Sequence, residues 1–337
     1  MPFHRFSNKK YNCFVDTVLT TGDGLPFELK TEFEVQTILS RADNELLGQV
    51  FLGKKMFTSK SEYAVGMGEL NQYFADAFNF VSIYLDKNGL IDGLENAKQL
   101  IDNEYRILKK MDSEKKFAPE IRSSFLKTFN NLPGILKDAV KQTPFYFLLL
   151  PPIFNLNSDK PKQKELIGKF SCKSKLVHYE NRKGTMDIDF KVYRQALSSD
   201  ENGTNIKIDF IPDIGKFQLC HAKESYMRVF KASTQVPFDY NYQMYFICRV
   251  SPTGELLQNN GYSMESLSEK VQCEYKFDLK LSMAKDKPPT FEEPSISQAP
   301  KITDPPVPKK SWSVFDGLDE PEEATPKKGW SIFDDEK

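Results

Sequence analysis

The sequence predicts an α+β fold: a long antiparallel β-meander, forming a curved sheet or half-barrel, with a central helical insertion and a disordered C-terminal tail. Three patterns carry the expectation. Apolar and polar residues alternate with period two at both ends of the first 283 residues, the middle changes to helical spacing, and nine of the 20 prolines follow Met283. At 337 residues the chain is longer than a usual domain of roughly 100–150 residues, and its aromatic share of 13% supplies a wide apolar interior. The expected division is a body over 1–283, with strands over 11–67, helices over about 68–142 and strands over 165–283, then a tail over 284–337.

The strands come first. In "FELKTEFEVQTIL", Phe27, Leu29, Phe33, Val35 and Leu39 share one parity while Glu28, Lys30, Glu32, Glu34 and Gln36 share the other. Such a strand buries one face and wets the other. "KVQCEYKFDLKLSM" repeats the pattern with Val271, Cys273, Tyr275, Phe277, Leu279, Leu281 and Met283 against Lys270, Gln272, Glu274, Lys276, Asp278 and Lys280. Shorter runs of the same period occur in "TMDIDFKVY", "NIKIDF" and "YQMYFICRV". "GDG" at 22–24 and "KNG" at 87–89 read as hairpin turns, because Asp-Gly and Asn-Gly supply the positive φ that tight turns require. The meander is therefore antiparallel.

Helical spacing follows. "ENAKQLIDNEYRILKKM" places Ala97, Leu100, Ile101, Tyr105, Leu108 and Met111 on one face, and "APEIRSSFLKTFNNL" does the same with Ile121, Phe125, Phe129 and Leu132. "GELNQYFADAF" reads as a shorter helix. The apolar run "PFYFLLLPPIF" is too short to cross a bilayer and its prolines forbid a long helix, so it plugs the core or lines a cavity. In the second case Phe145, Phe147, Leu149 and Phe154 line an apolar pocket. "VSIYLDKNGLIDGLEN" and "FICRVSPTGELLQNN" share a strand, a Gly turn, a return strand and a terminal Asn, features that hairpins also share by chance.

Signatures of chemistry are missing. "DKNGLIDGLE" superficially follows a calcium loop, but Leu90 stands at an acidic position, Ile91 at the required glycine and Ala97 at the terminal Glu, which leaves a hairpin turn. Three histidines, His4, His178 and His221, cannot build a His-rich metal site. In a strand, the adjacent Cys220 and His221 point to opposite faces and do not form a nucleophile and base. No GxxxxGK[ST] or GxGxxG occurs, and Asp187 with Asp189 lie on the solvated face of their strand. Nothing in these patterns points to an enzyme, a cofactor or a metal. A net charge of −1 speaks against a nucleic-acid partner. The N-terminus lacks the apolar core of a secretory signal, no run reaches the roughly 20 apolar residues of a membrane span, and five scattered cysteines read as reduced, so a cytoplasmic protein is expected.

In the order meander, helices, meander, the body resembles half-barrel carriers typified by the periplasmic lipoprotein carriers. It also resembles uncharacterised bacterial proteins in which a strand and Gly turn run through "LIDGLEN" into an amphipathic helix. The resemblance covers about residues 10–283 and rests on pattern, so it brings no functional residue with it. It implies a pocket for a hydrophobic ligand between sheet and helices; the missing signal segment goes against a periplasmic role.

The tail carries the most specific motif. Counted from Ala284 it has 8 Lys/Arg against 12 Asp/Glu, and it holds both tryptophans in "PKKSWSVFD" and "PKKGWSIFD". In each copy the indole and phenyl groups stand at i and i+3, on one side of a helical turn. Trp312, Val314, Phe315 and Asp316, and again Trp330, Ile332, Phe333 and Asp334, are the candidate partner-binding residues. They resemble the short acidic WxxF ligands of clathrin-adaptor appendage domains more than WxxL autophagy motifs. The resulting expectation is a non-enzymatic adaptor or cargo protein that docks through a bivalent tail to an oligomeric protein with an apolar groove; the alternative is a cytosolic carrier of a hydrophobic ligand in a half-barrel pocket.

Overall fold

The structure is a computed structural model that describes residues 4–21, 26–42, 45–61, 65, 68, 72, 79–113, 140–154, 163–178, 185–229 and 237–282. The chain divides into a unit over Met1–Met283 and a second over Ala284–Lys337, and every described residue belongs to the first. The helical patterns at 68–78 and 118–132 fall almost wholly outside the described residues, as does the tail.

Twelve antiparallel strands form one sheet. The first group comprises β1 (His4–Thr21), β2 (Phe27–Ala42), β3 (Glu45–Leu52), β4 (Met56–Thr58), β5 (Phe80–Leu85) and β6 (Ile91–Leu94). The second comprises β7 (Glu165–His178), β8 (Thr185–Asp200), β9 (Gly203–Asp213), β10 (Asn241–Val250), β11 (Leu256–Ser268) and β12 (Val271–Leu281). Three helices are described: α1 (Ala97–Ser113), α2 (Phe145–Leu149) and α3 (Lys216–Val229). The spatial order is β6-β5-β3-β2-β1-β12-β11-β10-β9-β8-β7, with β4 beside β2. The chain thus starts in the middle of the sheet, winds to one end, jumps to the other and winds back until β12 meets β1. Tyr11 pairs with Leu281 across that central junction.

Curvature follows from which residues meet. At the turn between β5 and β6, the Asn88 side-chain Nδ2 donates to the Ile167 carbonyl on β7 at 3.0 Å, although β6 and β7 are opposite ends of the path. At Gly168 a Cβ would lie 2.4 Å from the end of the Leu90 side chain of the same turn, so the glycine lets that side chain pack directly on β7. The sheet therefore curls, and α2 packs on its concave side. The Phe147 ring lies 5.0 Å from Phe170 on β7 and from Phe210 on β9, while Phe145 lies 5.9 Å from Phe33 on β2.

The turn at 86–90 is a hairpin, as its sequence predicts. Asp86 Oδ1 accepts from the Asn88 and Leu90 amides, and Gly89 has φ +94°. The β10–β11 turn reuses this geometry: Ser251 Oγ accepts from the Glu255 amide and Gly254 has φ +84°. Turn chemistry explains the likeness of the two segments, since a short polar side chain and a left-handed Gly suffice to close each loop.

Several expectations need correction. The hairpin β5–β6 occupies 80–94, inside the stretch assigned to helices. Residues 216–229 form a helix, not a strand; the Gln218 side chain accepts from the Gly215 amide at 2.7 Å, a helix-start contact. On α1, Tyr105 is 59% exposed while Glu104 and Ile107 are buried beside Leu100 and Leu108, so the buried stripe is rotated from the predicted one. One wet face is also not universal. Leu46 with Leu47, and Val81 with Ser82 and Ile83, are buried on both parities, so this corner is covered on both sides.

Candidate functional site

The plug α2 is held by polar side chains that reach its backbone. A five-residue helix leaves most of its carbonyls without helical partners, and those of a buried segment need donors. Asn259 on β11 supplies one amide group to two of them, donating to Phe147 O at 3.0 Å and Leu148 O at 2.8 Å. Arg194 on β8, fully buried, donates to Pro152 O at 3.2 Å and to Phe154 O, and pairs with Glu165 at 2.9 Å. Asn259 and Arg194 thus fix the segment from both sides of its PP break.

Much of the inner face of β11 lacks apolar side chains: Asn259, Gly261, Ser263 and Glu265 point inward at period two, ahead of the buried Leu267. Each has a separate task. Gly261 makes room for aromatic rings, since a Cβ there would lie 2.5 Å from Phe246 and 3.0 Å from Phe277. Glu265 crosses the concave interior to β7, where the pairing with β8 is interrupted between Lys173 and His178. Its carboxylate accepts from Ser174 Oγ, from the Lys175 amide at 2.6 Å and from Tyr240 at 3.0 Å, while Ser174 Oγ accepts from the Val177 amide at 2.8 Å. The bulged backbone of β7 is thereby satisfied by a side chain in place of a strand. Burial pushes the Glu265 pKa up, offset in part by the hydrogen bonds from Ser174, the Lys175 amide and Tyr240.

Beside α2 lies a groove of about 320 Å³. Its floor consists of two adjacent rows set by strand register. One row runs Ser263, Tyr275, Thr17, Leu29 across β11, β12, β1 and β2; the next runs Gly261, Phe277, Val15, Thr31 and on to Phe57 of β4. Along the first row polarity falls from the β11 side to the β2 side, whereas the second row is apolar but for Thr31. Phe145 and Pro144 form the opposite wall, Lys55 sits 5.3 Å from the Phe33 ring centroid, and Lys175 and Tyr242 complete the polar side. The Tyr242 hydroxyl is 3.4 Å from Ser263 Oγ and 3.7 Å from Cys172 Sγ. Burial raises the Tyr242 and Tyr275 pKa values well above the ordinary 10, so both phenols keep their protons at neutral pH.

A second cavity of about 220 Å³ lies on the other side of α2, lined by Phe147, Leu90, Phe170, Lys141 and Lys169. Of the predicted pocket residues, Phe145 lines the groove and Phe147 the second cavity. Leu149 is buried in the core, and Phe154 is half-buried with its ring 6.4 Å from Phe6. The structure brings them onto one segment but not into one pocket. Trp312, Val314, Phe315, Asp316, Trp330, Ile332, Phe333 and Asp334 lie outside the described residues. Cys220 and His221 lie on α3, where the His221 ring packs edge-on to Phe217 at 4.3 Å and its Nδ1 is 3.4 Å from Glu224. Among the described residues no cluster of His, Cys, Asp and Glu is arranged to hold a metal. Asp187 and Asp189 are exposed as expected, the former 2.7 Å from Lys173.

Sequence reasoning missed Asn259, Ser263, Glu265 and Arg194. The one signal present was a strand-length segment with polar residues on both parities, "LLQNNGYSMESLS", between two strongly alternating strands.

No family model matches this chain, and no curated protein does. Among solved structures, one described as "Lipid-protein interactions in lipovitellin" is similar with a TM-score of 0.37 and 9% identity, over 82% of this chain and 25% of that one. The chain spans a quarter of the length of that protein, and a likeness of this size says nothing about what the chain binds.

Proposed function

We propose that the curved sheet holds a hydrophobic ligand in the groove between α2 and strands β1, β2 and β12, which makes the protein a carrier. One observation supports this most: the plug does not fill the concave side, and the space left is walled by Val15, Leu29, Phe33, Phe145 and Phe277. An apolar cleft of this size with a few convergent polar groups is the usual form of a small-molecule site. The test is Nile red binding to the full chain, followed by fluorescence. Wild type should bind with a blue-shifted emission, and Thr31→Trp, which fills the groove from its floor, should lose binding while keeping its melting temperature. Equal binding by the two proteins sinks the reading.

A second reading rests on the duplicated Trp-x-x-Phe of the tail, a protein-docking role independent of the groove. Two anchors on one tether raise the apparent affinity for an oligomeric partner by roughly 10²–10⁴. A peptide over 305–337 should therefore lose that factor with either Trp312→Ala or Trp330→Ala, and lose all binding with both. Equal capture by the double variant removes this reading.

A further inference from the structure

We infer that the ligand of the groove is a single-chain amphiphile with a carboxylate head, its head set against Lys175, Tyr242, Ser263 and Tyr275 and its chain running toward Leu29 and Phe57. The inference rests on the carrier reading and adds direction and head-group chemistry to it. Direction comes from register: the row Ser263, Tyr275, Thr17, Leu29 passes from hydroxyls to an aliphatic side chain across four neighbouring strands. Three inter-strand spacings of about 4.8 Å make this floor about 14 Å wide. A head group at the β2 end would face Leu29, Phe33 and Phe57, with Thr31 and Lys55 as its polar contacts, whereas the β11 end gathers three hydroxyls and Lys175.

Head-group class comes from the balance of donors. Tyr242 and Tyr275 stay protonated because burial raises both, and Ser263 adds a third hydroxyl. The Lys175 side chain is exposed at this end of the groove, and its charge acts on the buried thiols of Cys172 and Cys273. Three hydroxyls and an ammonium can all donate to a carboxylate, whereas a cationic head would meet the Lys175 ammonium with no lining carboxylate to offset it. No carboxylate lines the groove; Glu265, whose charge reaches Tyr242 and Tyr275, stands behind them with both oxygens accepting from Ser174, Tyr240 and the Lys175 amide, so Lys175 is the charge on the wall at this end. Length follows from volume: a methylene occupies about as much space as a water's ~30 Å³ share of the liquid, so 320 Å³ takes a chain of roughly ten carbons.

The experiment displaces Nile red from the full chain with dodecanoate, dodecyl phosphate, dodecanol and dodecyltrimethylammonium, each below its micelle concentration. Dodecanoate should displace the dye at a concentration about tenfold lower than dodecanol, as expected for a charge-assisted contact, and the ammonium compound should be weakest. Lys175→Gln should remove the preference of dodecanoate over dodecanol without changing the melting temperature, because the side chain is exposed; Lys141→Gln, at the second cavity, should leave the preference intact. Tyr275→Phe should reduce the preference a few-fold with the apolar floor unchanged. Equal displacement by dodecanoate and dodecanol overturns the head-group assignment and leaves the carrier reading standing. Tighter binding of dodecyl phosphate than dodecanoate overturns the carboxylate class. If Nile red itself does not bind, both readings fall.

Discussion

At the scale of single residues, burial decides chemistry more than residue type does. Four of the five cysteines lie buried on strands, and Cys220 alone is exposed, on α3. Burial pushes the Cys13 and Cys248 thiols up to about 12 and Cys172 to about 11, and a thiol that stays protonated is unreactive. A maleimide should therefore label Cys220 in the native protein and the other four only after denaturation, as peptide mass mapping will read. Glu265 makes a pH prediction. Its folded pKa is raised above the ordinary 4.5, so its contribution to stability is fully present below 4.5 and is lost as pH rises through the folded value. Urea unfolding from pH 4.5 to 7.5 should show wild type losing stability relative to Glu265→Gln. A difference that stays flat would place the carboxylate in water.

At the scale of elements, the plug and the inner sheet face carry the core. Phe147 is 1% exposed at the centre of an aromatic cluster from β7, β9 and β10. Phe147→Ala should cost about 3–5 kcal/mol, the range for truncating a buried aromatic. Asn259→Leu leaves two plug carbonyls without donors and should cost about 1–3 kcal/mol for each. The alternation of β12 makes its own contrast: Phe277 is buried and Lys276 exposed, so Phe277→Ser should destabilise by several kcal/mol, on the order of a lost buried side chain plus an unpaired hydroxyl, and Lys276→Ser by less than about 0.5. Denaturant midpoints will rank them. The alternating strands were legible because one inward and one outward residue per repeat is what a half-buried strand demands. β11 was not, because its inward residues serve the plug, the ring packing and β7, and none of those tasks needs an apolar side chain.

At the scale of the whole molecule, the first and last strands meet in the middle of the sheet. β1 and β12 pair over Tyr11–Thr21 and Val271–Leu281, and the Ser282 amide still donates to Lys10 O at 2.8 Å. A chain ended after Met283 should keep the circular dichroism and melting temperature of the full chain. One ended after Lys270 lacks β12, leaves the long edges of β1 and β11 unpaired, and should aggregate. Size-exclusion chromatography separates the outcomes. An equally stable monomer from the shorter chain would show that the central junction contributes little.

Local pattern in the sequence determined the strands with one wet face, the hairpin at Asp86–Leu90 and the helical spacing of 97–113, because each depends on neighbours within a few residues. Tertiary structure decided the rest. That β6 and β7 approach each other, that Glu265 completes a bulge on β7, that Arg194 is tolerated in the core and that Phe145 and Phe147 face different cavities all depend on residues brought together across roughly 40 to 110 positions of chain. The physical reason is that a buried polar side chain is specified by its partner. Asn259 looks like a loop residue until the carbonyls of Phe147 and Leu148, more than a hundred residues earlier, are laid against it.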